Sequence, residues 1–488
     1  MSRVLLSIGM VHVLTMLVSL IRAKVLSVLL GPGNYGLAST VDQTAVSVVQ
    51  LAGLSLPFTA MKFMAEAHSE SAAAFERAFA MFLRALIALS VIAMVVVSAL
   101  LWWQPGLFGK DLAPYRALFH IALLGVPAAM LHIHFVNTLA AAQRGTQSAW
   151  LTFAVGLSLA AAAILGYLWA GLPGLIGASV LAGAVAAVLA LQFIRGSLVL
   201  PGSLPYAALD EFVANPRILG YSLLTYAAMS TYSLTMLSTR YLVFGKLGAV
   251  GAGLLQAQLG LALAVGSVIT PLNGLYFAPL VNRRMATAEK VEAANAFAGT
   301  ILVVLFGGGL VATLFPALVL TLLFSKAFVG AATTLCWFIV WQCLYQVTNV
   351  YLQLLIGLDD MRFFAVATCA SYGISAIMFV PLIEQYGLGG VAMSLCLAML
   401  FCFAAVVVRM RRRFGARIAP HVLLRTFGLL VVLIGAWWCF DPATELSRAG
   451  FAMRAGYAFA SIVALWATLR PAERASMRTV IRRVTARP

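Results

Sequence analysis

Residues 22–36 read Arg-Ala-Lys-Val-Leu-Ser-Val-Leu-Leu-Gly-Pro-Gly-Asn-Tyr-Gly, an apolar stretch that ends in a glycine-rich turn. Apolar sequence extends over 4–30 before this turn and over 37–62 after it. A membrane-spanning helix needs roughly 20 mostly apolar residues, because every backbone polar group must be paired inside the helix. The stretch therefore predicts two membrane-spanning helices joined by a tight turn, with Arg22 and Lys24 inside the first.

The composition extends this prediction to the whole chain. Of its 488 residues, 63% are hydrophobic and 10% are charged, whereas soluble domains carry about 25% charged residues. The sequence predicts an all-α polytopic membrane protein with about fourteen transmembrane helices. The expected spans are 4–30, 37–62, 79–104, 114–138, 148–169, 175–195, 216–244, 250–275, 295–321, 331–355, 361–383, 388–408, 421–440 and 450–469.

The net charge of +17 indicates the orientation of these spans. Cytoplasmic loops of membrane proteins are enriched in Lys and Arg. Fourteen alternating spans place 21 of the 32 basic residues on the side that holds both termini, and six on the other side. Both termini are therefore expected in the cytoplasm. We interpret the basic tail, 471–488, as an anchor at lipid headgroups rather than a nucleic-acid site.

Similar landmarks recur at nearly one offset. Arg22 and Arg240 are 218 positions apart, and the glycine-rich turns that begin at Gly31 and Gly248 are 217 apart. The segments that begin at Gly171 and Gly387 are 216 apart. We expect a duplicated six-helix unit, with an N-terminal lobe over 1–200, a C-terminal lobe over 201–415 and two extra helices over 416–470. Parallel repeats of this kind are typical of transporters that rock two bundles about a central site.

Enzyme and cofactor motifs give no competing interpretation. The run from Gly31 to Gly36 formally matches GxGxxG, but it joins two membrane helices and lacks the strand that a dinucleotide site requires. The sequence holds no Walker A, GxSxG or HExxH pattern. The six cysteines fall inside spans without CxxC spacing, which favours buried apolar roles over a metal site. The sequence therefore predicts a transporter without enzymatic activity, cofactor or metal.

Charged residues inside the spans are the main candidates for substrate binding. Ionisable groups in the membrane are costly and usually face a cavity or a partner. Arg22, Lys24 and Arg240 lie deep in spans, and Asp42 is the only acidic residue inside any predicted span. A hairpin centred on 33–34 puts Asp42 level with 24–26, which predicts a Lys24–Asp42 pair. The alternative is that these groups form a static pair or extend toward the headgroups.

Polar residues on spans seven and eight complete the predicted cavity. Span seven carries many hydroxyl groups, and Tyr232 with Gln256 of span eight would suit contact with sugars. Small hydroxyl residues also serve helix packing in membranes, which is the competing explanation. His134 of span four could relay protons together with Asp42, although a histidine satisfied by its neighbours is the more common case.

The basic residue followed by Leu-Leu-Gly-Pro-Gly-Asn-Tyr-Gly at 29–36 resembles the opening signature of the polysaccharide transporter family. This family belongs to the multidrug/oligosaccharidyl-lipid/polysaccharide (MOP) exporter superfamily and includes Wzx-type flippases for O-antigen and exopolysaccharide repeat units. The segments 387–390 and 357–360 are also similar to it. The resemblance implies a MOP/MATE-like fold of two six-helix lobes plus two helices.

The same resemblance implies a function. The family moves undecaprenyl-diphosphate-linked oligosaccharide repeat units from the cytoplasmic to the periplasmic leaflet of the bacterial inner membrane, by alternating access. Arg22, Lys24 and Arg240 would then meet the diphosphate. The implied partners are the lipid-linked substrate, the bilayer, and a polymerase with other polysaccharide-assembly proteins.

Three alternatives remain open from the sequence. Lipid II flippases also use cavity arginines, and a multidrug exporter of the same superfamily would need acidic residues for a cationic drug. A membrane glycosyl polymerase or ligase would need a sizeable external loop with catalytic residues, whereas the predicted external loops are short.

Overall fold

The computed structural model describes residues 2–106, 108–198, 216–267, 269–281, 285–445 and 447–469. Every regular element within these ranges is helical. The basic tail 471–488 and the expected lobe boundary at 200 lie outside the described residues. The predicted division into lobes thus stays a prediction.

Helices of eight or more residues are labelled α1 to α14 in chain order. They are α1 Ser2–Ala52, α2 Leu56–Glu70, α3 Ala72–Trp103, α4 Arg116–Leu123, α5 Val126–Ala141, α6 Gly145–Leu198, α7 Pro216–Ser267, α8 Thr287–Leu314, α9 Pro316–Leu323, α10 Ala332–Gly357, α11 Met361–Tyr386, α12 Leu388–Phe414, α13 Pro420–Cys439 and α14 Arg448–Thr468. Shorter helical turns lie at Lys110–Tyr115, Thr270–Leu272, Asn273–Phe277, Ala278–Val281, Lys326–Ala331 and Pro442–Thr444.

The helices of the described ranges account for fourteen membrane spans. Ten helical segments are long and apolar enough to cross a membrane, and Lys110–Leu123 with Val126–Ala141 forms one more span that bends by 42°. Three of the ten, α1, α6 and α7, contain a break at which two helices meet, so each supplies two spans. The prediction of an all-α polytopic protein with about fourteen transmembrane helices is confirmed.

The breaks recur at the predicted repeat offset. Gly31 in α1 has φ 64° and ψ 174°, and Gly248 in α7 has φ 70° and ψ −176°. Gly171 and Gly387 have φ of 62° and 54°. A positive φ is readily adopted by glycine and disfavoured for other residues. Glycine therefore interrupts the helix at matching positions of the two repeats.

Close helix contacts follow the same offset. A Cβ at Gly174 would collide with the carbonyl oxygen of Gly166, and one at Gly390 would collide with that of Leu382. These positions are again related by 216 residues. The 3₁₀ turns Lys110–Tyr115 and Lys326–Ala331 also begin 216 residues apart. The internal repeat is therefore present in the backbone as well as in the sequence.

Two local expectations were wrong. The predicted second span does not run as one helix to residue 62, because α1 ends at Ala52 and Leu54 and Ser55 both have positive φ before α2 begins. Pro57 in the first turn of α2 favours a new start there, since its missing N–H has no helical partner at that position. The hairpin between the first two spans turns at Gly31 rather than at 33–34.

The chain divides into two compact units. The first comprises 1–260, 322–328 and 360–394, and the second comprises 261–321, 329–359 and 395–488. In the first, α1 and α5 pack on α6, and α2, α3 and α5 pack together. In the second, α8, α10 and α13 form the core, and α14 packs on α8 and α13.

Side-chain contacts join helix ends that the sequence places on one membrane side. At the predicted cytoplasmic ends of the second unit, Lys290 Nζ donates to Gly357 O at 2.7 Å and Arg425 Nη2 donates to Thr468 O at 2.7 Å. At an opposite end, the Glu445 carboxylate accepts from the backbone N–H groups of Ala317 and Leu318 at the start of α9. These contacts agree with alternating spans.

Candidate functional site

The broken helices α1 and α7 meet at their glycine turns. A Cβ at Gly36 would collide with the backbone of Ala249 and Gly253, and a Cβ at Gly253 would collide with Pro32 O. Gly253 and Ala249 are the counterparts, 217 positions on, of Gly36 and Pro32. The contact is therefore reciprocal, because a glycine of each repeat packs directly against the backbone of the other repeat.

Arg240 lies at this junction on the first part of α7. It is only 8% exposed, and its Nη1 donates to Ser39 Oγ of α1 at 3.4 Å. Asp42, Tyr35 and Tyr232 are close enough to act on its charge electrostatically. Its Nε has no hydrogen-bond partner among the described residues. A buried guanidinium with one long, neutral contact retains donors for an anionic ligand.

Arg22 belongs to the same electrostatic cluster. Its charge acts on Tyr35, as do those of Arg240 and Asp42. Arg22 is partly exposed, and within the described ranges it forms no hydrogen bond or ion pair. Arg22, Asp42 and Arg240 thus all lie within electrostatic range of one tyrosine that the sequence analysis did not single out.

The corrected turn changes the expected neighbour of Asp42. Counting depth from Gly31, Asp42 is level with residue 20, and at 1.5 Å per residue Arg22 is closer in depth than Lys24. Asp42 has an exposed side chain and Lys24 a partly exposed one. The Lys24–Asp42 pair stays a prediction. Asp42 lies within electrostatic range of Arg240 and Tyr35.

Aromatic contacts surround the junction. Tyr241 OH and Thr44 Oγ1 share a hydrogen bond of 2.7 Å, and the Phe108 ring stacks on Tyr241 at 5.2 Å. Tyr35 meets the edges of Phe324 and Phe328 at 6.2 and 5.6 Å. Phe108 and Phe324 precede the two matching 3₁₀ turns. A phenylalanine beside the predicted external turn of each repeat therefore packs against the broken helix of the other repeat. Phe108 packs against α7, and Phe324 packs against α1.

Gln256 is the counterpart of Ser39, 217 positions on. Its Oε1 is buried and has no hydrogen-bond partner within the described part of the chain. Arg22 is likewise the counterpart of Arg240. Arg22 and Gln256 therefore match Arg240 and Ser39 in the repeat, and the Gln256 Oε1 has no described hydrogen-bond partner.

The other two predicted residues lie in different surroundings. Tyr232, two turns before Arg240 on α7, packs edge-on against the buried Tyr372 at 5.2 Å. His134 on α5 is fully buried and stacks on Phe79 at 5.3 Å, and neither ring nitrogen has a described hydrogen-bond partner. No contact among the described residues connects His134 with Arg22, Asp42 or Arg240.

Sequence reasoning missed Ser39, Tyr35 and Tyr241. Tyr35 stands in the quoted motif, and the offset of 217 from Ser39 to Gln256 was a signal that could have found Ser39. Tyr241 adjoins Arg240 but carries no pattern of its own. The cluster contains Arg22, Arg240 and one carboxylate, so its excess charge is positive and favours an anion.

Comparisons with known proteins identify the fold. No protein-family model matches the chain, and no curated protein matches its sequence. Among solved structures, a lipid II flippase, MurJ, in an inward closed conformation is 12% identical, with a TM-score of 0.68 over 98% of this chain and 99% of that chain. An inward-facing multidrug resistance MATE family transporter of the MOP superfamily is 16% identical, with a TM-score of 0.59 over 84% of this chain and 98% of that chain.

A third structure is a point mutant of the Vibrio cholerae MATE transporter VcmN. It is 14% identical, with a TM-score of 0.57 over 84% of this chain and 97% of that chain. These likenesses show that the chain shares the fold of these transporters, which is that of the MOP superfamily, and the apolar helices described above are long enough to cross a membrane. The flippase structure covers 98% of this chain, whereas each of the two MATE structures covers 84% of it.

Proposed function

We propose that the chain is a flippase for an oligosaccharide repeat unit linked to undecaprenyl diphosphate. It moves this lipid-linked substrate from the cytoplasmic to the periplasmic leaflet of the bacterial inner membrane, with both of its own termini in the cytoplasm. The observation that carries the proposal is the positively charged cluster of Arg22 and Arg240 on the two broken helices.

The cluster suits a diphosphate because of its charge and its unused donors. Arginine binds phosphate oxygens through charge-assisted hydrogen bonds, which are stronger than neutral ones and gain further in a medium of low dielectric constant. Arg240 has one bond of 3.4 Å to a hydroxyl group, which an ionised phosphate oxygen would replace. Arg22, without a bonded partner among the described residues, provides a second cation.

Alternating access follows from the repeat. The glycine contact of Gly36 with Gly253 and the aromatic contacts of Tyr35 and Tyr241 close the predicted external end of α1 and α7. Substrate would enter from the cytoplasmic leaflet in this state. Separation of these contacts would release the substrate to the other leaflet. Lys24, Tyr232 and Gln256 would contact the substrate during this passage.

The second candidate is a lipid II-type substrate, favoured by the likeness to a solved lipid II flippase over nearly the full length of both chains. Both candidates carry a lipid diphosphate, so the cluster serves either. The Leu-Leu-Gly-Pro-Gly-Asn-Tyr-Gly signature favours the polysaccharide branch. A multidrug exporter for cations fits less well, since Asp42 is the only carboxylate of the cluster.

The experiment that tests the proposal is complementation of a deletion strain that has lost polysaccharide export. Expression of the chain should restore surface polysaccharide and remove the intracellular lipid-linked repeat unit. Accumulation of lipid II in place of the repeat unit would favour the second candidate, and no change in either lipid would reject both. Glycosyltransferase and polymerase genes beside this gene would identify the assembly partners.

A further inference from the structure

A cavity of about 520 Å³ lies in the second unit, far along the chain from Arg22 and Arg240. It is formed by the first turns of α8 and by the segment that connects α12 to α13. Its polar lining residues are Thr287, Glu292, Asn295 and His421, and Phe414 and Ala296 contribute apolar surface. All of these helix ends are predicted to face the cytoplasm, so the cavity lies where the spans meet the cytoplasmic headgroups.

The cavity has a fixed framework. Asn295 is 8% exposed, and its Oδ1 accepts from Tyr351 OH at 2.9 Å and from the Ala419 N–H at 3.0 Å. These bonds hold the start of α13 against α8 and α10. Gly415, with φ 60°, turns the chain at the end of α12. The opening is therefore part of the folded unit and does not depend on movement of a loose side chain.

A strongly basic segment of chain adjoins this cavity at Phe414. Arg411, Arg412, Arg413 and Arg417 are all exposed within seven residues of chain. The Arg413 guanidinium lies over the ring of Phe414, a lining residue, at 5.5 Å from its centre. The Arg417 carbonyl adjoins Asn295. One acidic lining residue, Glu292, does not offset four neighbouring cations.

We propose that this cavity binds the phosphate headgroup of an anionic phospholipid from the cytoplasmic leaflet. Basic pockets between membrane helices on this side of the bilayer recognise such headgroups. Helix geometry gives the backbone N–H groups of the first turn of α8, at Thr287 and Ala288, no partner within the helix, and such groups favour an anion. Phe414 and Ala296 supply apolar surface for the glycerol and upper acyl region. This site is independent of the proposed transport substrate.

Binding can be measured on the full-length protein reconstituted in nanodiscs of phosphatidylcholine. Spin-labelled phosphatidylglycerol should bind more tightly than spin-labelled phosphatidylcholine, and the preference should weaken at high salt. Arg413→Ala should weaken phosphatidylglycerol binding about fivefold, the loss expected for one basic residue at the membrane surface. Arg412→Ala removes the same charge from the same helix but from the side away from Phe414, and should retain most of the affinity.

A second variant tests the cavity without changing its charge. Ala296→Trp should fill the space and reduce phosphatidylglycerol binding, while all four arginines remain. Equal effects of Arg412→Ala and Arg413→Ala, together with full binding by Ala296→Trp, would show diffuse attraction and overturn the proposal. Displacement of the lipid by inorganic phosphate at equal phosphate concentration would assign the cavity to a soluble anion instead.

Discussion

Arg240 Nη1 donates to Ser39 Oγ across the junction of the two repeats, at 3.4 Å. The contact joins a buried cation of α7 to the part of α1 that follows its glycine turn. A hydroxyl group is a weak partner for a guanidinium compared with an ionised oxygen. The hydrogen bonding of Arg240 within the described residues is therefore incomplete, since its Nε also has no partner there.

Arg240→Ala should reduce transport at least about tenfold, because a hydrogen bond to a charged group contributes about 1.5–3 kcal/mol. Arg240→Lys should retain partial transport, since it keeps the charge but loses the planar donor geometry. The measurement is surface polysaccharide in a deletion strain, normalised to protein in the membrane.

Lys246→Ala is the matched control for Arg240, on the same helix and with the same change of charge. Lys246 pairs with Glu384 at 2.7 Å, but both side chains are about half exposed, and such pairs contribute little. Transport by this variant should stay close to that of the parent. Full transport by Arg240→Ala would remove Arg240 from the substrate site.

Asp42→Asn should impair transport, because it removes a carboxylate whose charge acts on Arg240. Loss of the Asp42 charge would leave the positive charges of Arg22 and Arg240 uncompensated inside the membrane, which raises the free energy of the folded protein. Transport should be measured across a range of external pH. Asp359→Asn, on an exposed turn with positive φ that asparagine tolerates, is the control. Normal transport by Asp42→Asn at every pH would exclude it as a gate or coupling site.

Gly36→Ala should lower transport and thermal stability, because its Cβ would collide with the backbone of Ala249 and Gly253. Overpacking of this kind costs about 1–3 kcal/mol. Gly33→Ala is the control, since its Cβ would be 3.9 Å from Val250 Cγ2, an ordinary contact. Equal melting temperatures and transport rates for the two variants would show that the glycine contact does not close the external end.

A cysteine pair can test the same closure reversibly. Gly33→Cys with Val250→Cys, in a background without the six native cysteines, should form a disulfide across the junction. The oxidised protein should be inactive, and reduction should restore transport. Transport by the fully oxidised protein would mean that α1 and α7 need not separate at this end.

Reporter fusions test the orientation that the basic residues predict. Fusions at Lys110, Lys326 and Glu445 should report the periplasm, and a fusion at Arg413 should report the cytoplasm. The hydrogen bonds of Glu445 and Lys290 each join helix ends of one side, in agreement with this arrangement. Two disagreements would break the fourteen-span order.

The fold could be predicted because long apolar segments of sequence indicate membrane helices, and because glycine-rich segments indicate where those helices are interrupted. The repeat offset, read from Gly31 and Gly248, matches the backbone at Gly171 and Gly387 as well. The Arg240–Ser39 contact could not be predicted, since it depends on how two broken helices cross. The interruption at Leu54 and Ser55 also escaped prediction, because neither residue type favours positive φ.

The candidate site was predictable in its charges and not in its neighbours. Intramembrane charge alone selected Arg22, Asp42 and Arg240, which all lie within electrostatic range of Tyr35, and their role in binding stays a prediction. His134 was selected for its chemistry, but its contacts are with Phe79 and Phe135. Its proposed role in coupling therefore rests on the sequence alone.

Reconstitution of the purified protein in vesicles that contain a fluorescent oligosaccharide on undecaprenyl diphosphate isolates the proposed flippase activity from the other proteins of the cell. An enzyme confined to the outside that modifies the sugar reports how much substrate reaches the outer leaflet. Vesicles with the parent protein should expose the inner-leaflet pool of substrate to this enzyme, and vesicles with Arg240→Ala should leave it protected. Vesicles with Lys246→Ala should behave as those with the parent protein. If parent vesicles protect the inner pool as well as empty vesicles do, the chain is not a flippase for this lipid.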